Sequence, residues 1–337
     1  MSRGARRRQR QQPRTLQVFL IIVLVLLTVC VLVKAFFLKA PEQKAAELPA
    51  QSAASDTDSQ QSPEEQAAQE ALRSHLERKG GFYTILLSGL DDDNGGSDTN
   101  ILMAVDTVNG YVYGASIPRD SKAIIGGKAH KINYAYNKGG TELLASTVSE
   151  QLGIPVDYTV CVNLQGFTAL VDAIGGVDFE VPINMDYDDP IQGLSIHFKK
   201  GMQHLSGADA LRVVRFRHNN DGTGYGSEDL GRMQTQQKFL KAVAKKMLSF
   251  ENLISNPRKY AEIFGQYVDT DLSVTDLAWF GMQVLGMGVD KIDFSTLPNE
   301  WKYPYIYLDP DETLALVNTY LNPYVEDRTA EDLNLPG

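Results

Sequence analysis

Between Leu16 and Leu38 the chain is almost wholly apolar, with only Gln17 and Lys34 strongly polar. At about 1.5 Å of rise per residue, a helix of this length crosses a hydrocarbon core of roughly 30 Å. Ahead of it, residues 1 to 14 hold six arginines and no acid. That cluster is expected to stay in the cytoplasm, which leaves everything after the apolar run outside. Lys34 and Lys39 can snorkel to the outer interface. A cleaved signal peptide is the alternative; the long apolar core and the lack of a clear small-x-small site directly after it speak against it. The expected plan is a basic cytoplasmic tail over 1–15, a transmembrane helix over 16–38 and a linker or stalk over 39–80. An extracellular domain over 81–325 and a short tail over 326–337 complete it.

Charge splits along the same line. The first 40 residues carry eight of the 32 basic residues and no acids, so the outer part has 24 basic against 42 acidic residues, a net of −18. Such a surface argues against nucleic acid as a partner. Any site for an anion must then be a local basic pocket. The two cysteines, Cys30 in the apolar run and Cys161 in VDYTVCVNL, give no disulfide framework. Cys161 reads as inert core.

Residues 40 to 62 are rich in Ala, Gln, Ser, Glu and Asp and read as a solvated tether. From Pro63, PEEQAAQEALRSHLERK has early acids and late bases and predicts a helical stalk. The folded part is expected from Phe82. FYTILLSG, NILMAVDT and YVYGASIP read as strands, and the Asn109–Gly110 pair marks a hairpin between the last two. TELLASTVSEQLG predicts a helix capped at Gly153, DYTVCVNL a strand, and QGFTALVDAIGG a helix stopped by two glycines. VDFEVP and LSIHFKKG follow as strands. SGADALRVVRFR, EDLGRMQTQQKFLKAVAKKML, NPRKYAEIFGQYV, SVTDLAWFGMQVLGM and DPDETLALVNTYL follow as helices. The mixture predicts an α/β domain with a central mixed sheet flanked by helices. No internal repeat is visible.

Three segments could carry chemistry. In SGLDDDNGGSDTNILM, Asp91 and Asp98 stand at the two mouths of a turn. Paired carboxylates there suit a hard cation such as Mg²⁺, although Asp, Asn and Gly are ordinary turn residues and composition alone favours a solvated acidic loop. In GASIPRDSKA, Arg119 and Asp120 follow a strand end at Pro118. Arg119 could grip phosphate oxygens through two N–H groups or pair with a nearby acid. In RVVRFRHNNDGTGYGSEDLGRMQTQQ, Arg215 and Arg217 stand two apart. Asp229, Arg232 and Gln236 fall at i, i+3 and i+7 on one helix face, near an N-terminus that favours anions. A pyrophosphate flanked by a metal ion would satisfy three arginines; so would surface pairing with Glu228 and Asp229. The five histidines show no metal-ligand spacing, and there is no P-loop, no G-x-S-x-G and no dinucleotide fingerprint.

Together LLSGLD, SDTNILMAVD, SIPRDS, KINYAYNKGG, LLASTVSEQLGIPVDYTVCVNLQGFTALVDAIGGVDFEVP, KKGMQHLSGADALRVVRFRH and DLGRMQTQQKFL resemble the LytR-CpsA-Psr family of cell-wall glycopolymer transferases. The resemblance runs from about Phe82 to Val243. It implies transfer of a glycan from a polyprenyl pyrophosphate to a sugar hydroxyl of peptidoglycan, outside the membrane, with Mg²⁺ or Mn²⁺. By motif match, Asp91 and Asp98 are the implied metal carboxylates. Arg119, Arg215, Arg217, Arg232 and Gln236 are the implied pyrophosphate ligands, with Arg119 also catalytic. Asp229 is the implied catalytic or orienting carboxylate. The family fold implies an apolar groove for the lipid; Leu143, Leu144, Val148, Phe167 and Leu170 either line it or are core. Two departures stand out: Gly96 takes the place of an arginine two positions before the SDT aspartate, and the loop from Arg217 to Asp229 is longer than usual. A non-catalytic binding protein and a pyrophosphate hydrolase are the rival readings of the same pocket.

Overall fold

The computed structural model describes residues 39–44, 76–90, 96–191, 193–226, 228–247, 249 and 257–337. The apolar run and Asp91 lie outside them. Among the described residues no helix is long and apolar enough to cross a membrane.

The centre is a mixed sheet of six strands. In chain order these are β1 (Phe82–Leu90), β2 (Ser97–Asp106), β3 (Tyr111–Ile117), β6 (Tyr158–Asn163), β11 (Val268–Thr270) and β12 (Ile292–Thr296), ordered β11-β6-β1-β2-β3-β12. The middle is an antiparallel meander. Tyr83 pairs with Val105, and Val105 with Val112. β6 joins parallel to β1 and β12 parallel to β3. The Asn109–Gly110 turn forms as expected. Asp106 accepts from the Val108 and Asn109 amides at 2.9 and 2.8 Å, and Gly110 takes φ 72°. β1, β3, β6 and β12 all run the same way, so their last residues share one rim, the carboxyl rim.

Alternation along the strands makes two cores. Phe82, Leu86, Leu102, Ala104, Tyr113 and Ala115 face one side. There they meet α1 (Asn133–Leu152) and the C-terminal α7 (Pro310–Leu316) with its π-helical extension Val317–Leu321. Tyr83, Val105 and Val112 face the other side and meet α6 (Val274–Met287). Phe82 and Leu86 are 1% exposed, so each contributes on the order of 1.5–3 kcal/mol by burial.

A third core forms a lobe. It gathers α2 (Leu164–Ala173), the pair β7 (Val177–Val181) and β10 (Gly201–Leu205), and the hairpin β8 (Met185–Asp189) and β9 (Leu194–Phe198). α3 (Gly207–Arg215) and α4 (Glu228–Met247) cover it, with Phe239 fully buried at its heart. α5 (Pro257–Tyr267) precedes β11. Two hairpins were not predicted: β4 (Lys122–Ile125) with β5 (Lys128–Lys131), and β13 (Asn299–Lys302) with β14 (Tyr305–Leu308).

Three expectations change. Residues 40–44 are not a free tether. Pro41, Glu42, Gln43 and Lys44 all hydrogen-bond to the domain. The stalk helix expected from Pro63 is outside the described residues up to 75, and 76–80 are turn and bridge rather than helix. Residues 326–337 are not a loose tail. Arg328 is 3% exposed, the Asn334 amide donates to Gln151, and Lys122 donates to the Gly337 carbonyl. Gly153 caps α1 at φ 64° as expected, and it has to be glycine, since a Cβ would stand 2.4 Å from the Asp332 carbonyl of that packed segment.

Candidate functional site

The carboxyl rim brings two of the predicted residues together, Arg119 and Asp98. Ile117 ends β3, and Pro118 and Arg119 follow it; Asp98 is the second residue of the neighbouring antiparallel strand β2, on the same rim. Arg119 Nη1 lies 3.1 Å from Asp98 Oδ1, with side chains 36% and 39% exposed. A pair this exposed is worth about 0–1 kcal/mol, so an arriving anion displaces it at little cost. Arg119 Nε is buried and has no hydrogen-bond partner among the described residues; neither have the buried hydroxyls of Ser97, next to Asp98 in the chain, and Ser121. The unpartnered Arg119 Nε is a group that a polar ligand at this rim would satisfy. Asp120 is occupied by Lys131 at 2.8 Å, which frees Arg119 from its neighbour in the sequence.

α4 brings the second group. Gln237 Nε2 donates to Ser116 Oγ and the Ser295 carbonyl, both at 3.1 Å, and to Thr296 Oγ1 at 3.3 Å. Those acceptors end β3 and β12, so the helix is pinned to the rim that carries Arg119. Arg232 and Asp229 sit in the turns before this pin; the Asp229 side chain lies outside the described residues. Gln236 turns elsewhere. Its amide donates to the Val214 carbonyl at 3.0 Å and so joins α4 to α3.

Arg215 is the last residue of α3 and half-buried, and Arg217 is exposed just past it. Between them Phe216 has extended backbone and a side chain 1% exposed, which turns both flanking arginines outward. The long loop that follows is ordered through residue 226. The Asp186 amide donates to Asn219 Oδ1 and the Asp188 amide to Asn220 Oδ1, at 2.7 and 2.6 Å, so the loop is laid along β8. Tyr225 returns the chain to α4 by packing edge-on against Phe216 at 5.7 Å. Gly231 makes room for it, because a Cβ there would meet Tyr225 Cβ at 2.2 Å. Burial pushes the Tyr225 phenol up, and the Thr235 hydroxyl and the Arg232 charge oppose that.

The expected metal pair is half visible. Among the described residues no group of three or more histidine, cysteine or carboxylate side chains could hold a metal. Mg²⁺ does not need one, since it is commonly held by one or two carboxylates with water and phosphate oxygens. Asp98, exposed at the rim, is one such carboxylate; Ser97 before it on the strand points into the core. Gly96 is buried at φ 115°, and a Cβ there would stand 3.2 Å from Asn137 Oδ1. An arginine at this position would be strained by its backbone, and Asn137 occupies the space toward which it would start.

The five candidate groove residues do not line one surface. Leu144 and Val148 are fully buried core beside half-buried Leu143. Phe167 belongs to the lobe, 5.8 Å from Phe239, and Leu170 is half-buried. Cys161 is buried and free, and burial pushes its thiol up, as inert core requires. Sequence reasoning missed Gln237, Ser97 and Ser121. The two serines lie inside the motifs SDT and PRDS, where only the charged residues were weighed.

The model of the LytR_cpsA_psr family matches residues 46–321. The polyisoprenyl-teichoic acid--peptidoglycan teichoic acid transferase TagV of Bacillus subtilis (strain 168) is 32% identical over 241 residues, 68% of this chain and 59% of that protein. This chain therefore spans less than two thirds of that relative. The regulatory protein MsrR of Staphylococcus aureus (strain COL) is 32% identical over 257 residues, 75% of this chain and 76% of the relative. The crystal structure of B. subtilis TagV superposes with a TM-score of 0.59 at 30% identity, covering 72% of this chain and 96% of that one. The rim geometry, the mixed sheet flanked by helices and these matches agree: the chain belongs to the LytR_cpsA_psr family.

Proposed function

We propose that this protein moves an anionic glycopolymer from a polyprenyl-pyrophosphate carrier to a sugar hydroxyl of peptidoglycan, on the outer side of the membrane. The transferase name of TagV supports the reaction type. The observation that carries the reading in this chain is Arg119, a half-exposed guanidinium whose Nε is buried and unpartnered and whose ion pair with Asp98 is weak.

Arg119 is the residue proposed to grip the pyrophosphate, with two N–H groups matching two oxygens. Arg232, Arg215 and Arg217 add positive charge around the chain of phosphates. The acceptor hydroxyl attacks the phosphorus that carries the glycan. The bond from that phosphorus to the bridging oxygen breaks, and polyprenyl phosphate leaves with the electron pair. Charge builds on the departing oxygens, where fixed guanidinium groups stabilise it more than they stabilise the ground state. The hydroxyl proton goes to a base, for which Asp229 is the proposed residue. Mg²⁺, when bound at Asp98 and Asp91, would supply further neutralisation of the phosphate oxygens. Gln236 is proposed as a positioning residue rather than a phosphate ligand, because its amide holds α3 against α4.

Asp98→Ala tests the metal assignment. Transfer by the purified protein should fall about 10²-fold, the scale for losing one group preorganised on the developing charge. Its response to added Mg²⁺ should flatten. A variant that follows the wild-type Mg²⁺ titration curve removes Asp98 from the metal site.

A further inference from the structure

The residues directly after the apolar run are fastened to the folded domain. The Tyr83 hydroxyl donates to the Pro41 carbonyl at 3.2 Å and the Tyr158 hydroxyl to the Glu42 carbonyl at 2.5 Å. Gln43 Nε2 donates to the Phe82 and Lys79 carbonyls. The Lys44 amide donates to Asp157 Oδ1 at 2.9 Å, and Arg78 closes the other side by donating to the Lys44 carbonyl at 2.8 Å. Phe82 and Tyr83 begin β1 and Tyr158 begins β6, so this strap lies on the rim opposite Arg119.

At that end of the sheet one helix, α6, carries an apolar outer face. α6 runs across this rim from the strap, where Thr275 and Asp276 share a cleft of ≈ 460 Å³ with Lys39, Ala40 and Pro41. At its far end Met287 approaches the β2–β3 turn at Gly110. Asp276 is the only charged residue of α6, and it is turned into the capping box with Ser273. The outer stripe Val274, Ala278, Met282 and Leu285 carries no polar side chain, and Val274, Met282 and Leu285 are 66%, 43% and 44% exposed. Val108 in the turn and Val325 beside Arg78 expose further apolar surface on the same rim. A soluble surface seldom keeps such a patch without a partner.

We propose that this rim rests on the lipid bilayer, with the outer stripe of α6 in the interface. The proposal rests on reading Leu16–Leu38 as a membrane anchor. Given that anchor, Leu38 is followed within three residues by Pro41, already bonded to the domain, so no tether separates the domain from the membrane surface. An apolar helix face lying flat beside an anchor is what an interfacial contact requires. The Arg119 rim then points away from the bilayer, raised by the length of the nine-residue strand β1, about 30 Å. The domain would receive its lipid-linked substrate at a fixed height and present it toward the wall.

The chain supplies its own reporters, because its two tryptophans lie at opposite rims. Trp279 is on α6, and Trp301 is on the hairpin whose Ile306 amide donates to Asp120, next to Arg119. The full chain is reconstituted into phosphatidylcholine vesicles with and without brominated acyl chains, and flotation is scored alongside tryptophan emission. In Trp301→Phe, Trp279 emission should be quenched by brominated lipid; in Trp279→Phe, Trp301 emission should be unchanged. Should Trp279→Phe fail to fold, Trp301 is read as the wild type minus Trp301→Phe. Adding Met282→Glu and Leu285→Glu to Trp301→Phe should reduce the quenching while flotation persists. A chain that floats with Trp279 unquenched, or with Trp301 quenched equally, overturns the resting face and leaves the anchor standing. A chain that does not float overturns the anchor and the resting face together.

Discussion

Arg119→Ala is expected to lower glycopolymer transfer by about 10²-fold or more, with the fold unchanged. The size follows from what the residue does in the reaction: a charge donor fixed on the developing negative charge is typically worth that much. The unchanged fold follows from what it does in the structure. Its pair with Asp98 is more than a third exposed on both sides and contributes about 0–1 kcal/mol. Arg119→Lys should recover only part of the rate, because an ammonium keeps the charge and loses the planar fork. Steady-state transfer kinetics with a lipid-linked glycan check this, with thermal unfolding as the control. An alanine variant within a few-fold of wild type would remove Arg119 from the reaction.

Asp157→Ala is expected to have the largest effect on stability, with activity lost only as the protein unfolds. Asp157 is 0% exposed and collects five donors: two from the Arg78 guanidinium, the Thr84 amide and hydroxyl, and the Lys44 amide. Removing the carboxylate leaves a guanidinium 11% exposed without its counter-charge and frees the strap at Lys44. Breaking a buried pair from one side costs about 3–5 kcal/mol, which lowers Tm by on the order of 10 °C in a domain of this size. Arg78→Met should cost a comparable amount, because the carboxylate keeps three of its donors but stays buried without its counter-charge. Thermal or urea unfolding measures both. A loss below about 1 kcal/mol for Asp157→Ala would mean the cluster is not the anchor point of the strap.

The contrast between these residues explains what was legible in the sequence. β1, β2 and β3 could be read because each is a short, nearly continuous apolar run, as a strand buried on both faces requires, and because Asn109–Gly110 allows few alternatives. The helices could be read from their caps: Ser206 accepts from the Asp209 amide, Ser273 forms a capping box with Asp276, and Asp309 accepts from the Glu312 amide. Arg119 and Asp98 were legible as chemistry, though not as partners to each other. β12, with the sequence IDFST, was too short and polar to announce itself, and it becomes a strand because β3 offers it an edge. Gln236 was chosen on helical spacing and motif match, and Gln237 was not weighed. Only the packed helix shows that Gln237 reaches the rim while Gln236 reaches Val214. The strap was invisible for a different reason. APEQK has no periodicity, and its partners Asp157 and Tyr158 lie more than a hundred residues away, so nothing local marks it as ordered.

The central claim is the transfer itself. The most direct measurement combines the purified full chain with a short glycan on polyprenyl pyrophosphate, Mg²⁺ and peptidoglycan oligomers, and follows the products by mass. The account predicts an oligomer heavier by one glycan phosphate, formed in step with free polyprenyl phosphate and about 10²-fold or more slowly with Arg119→Ala. Polyprenyl phosphate released without any adduct, or carrier bound without turnover, would contradict it.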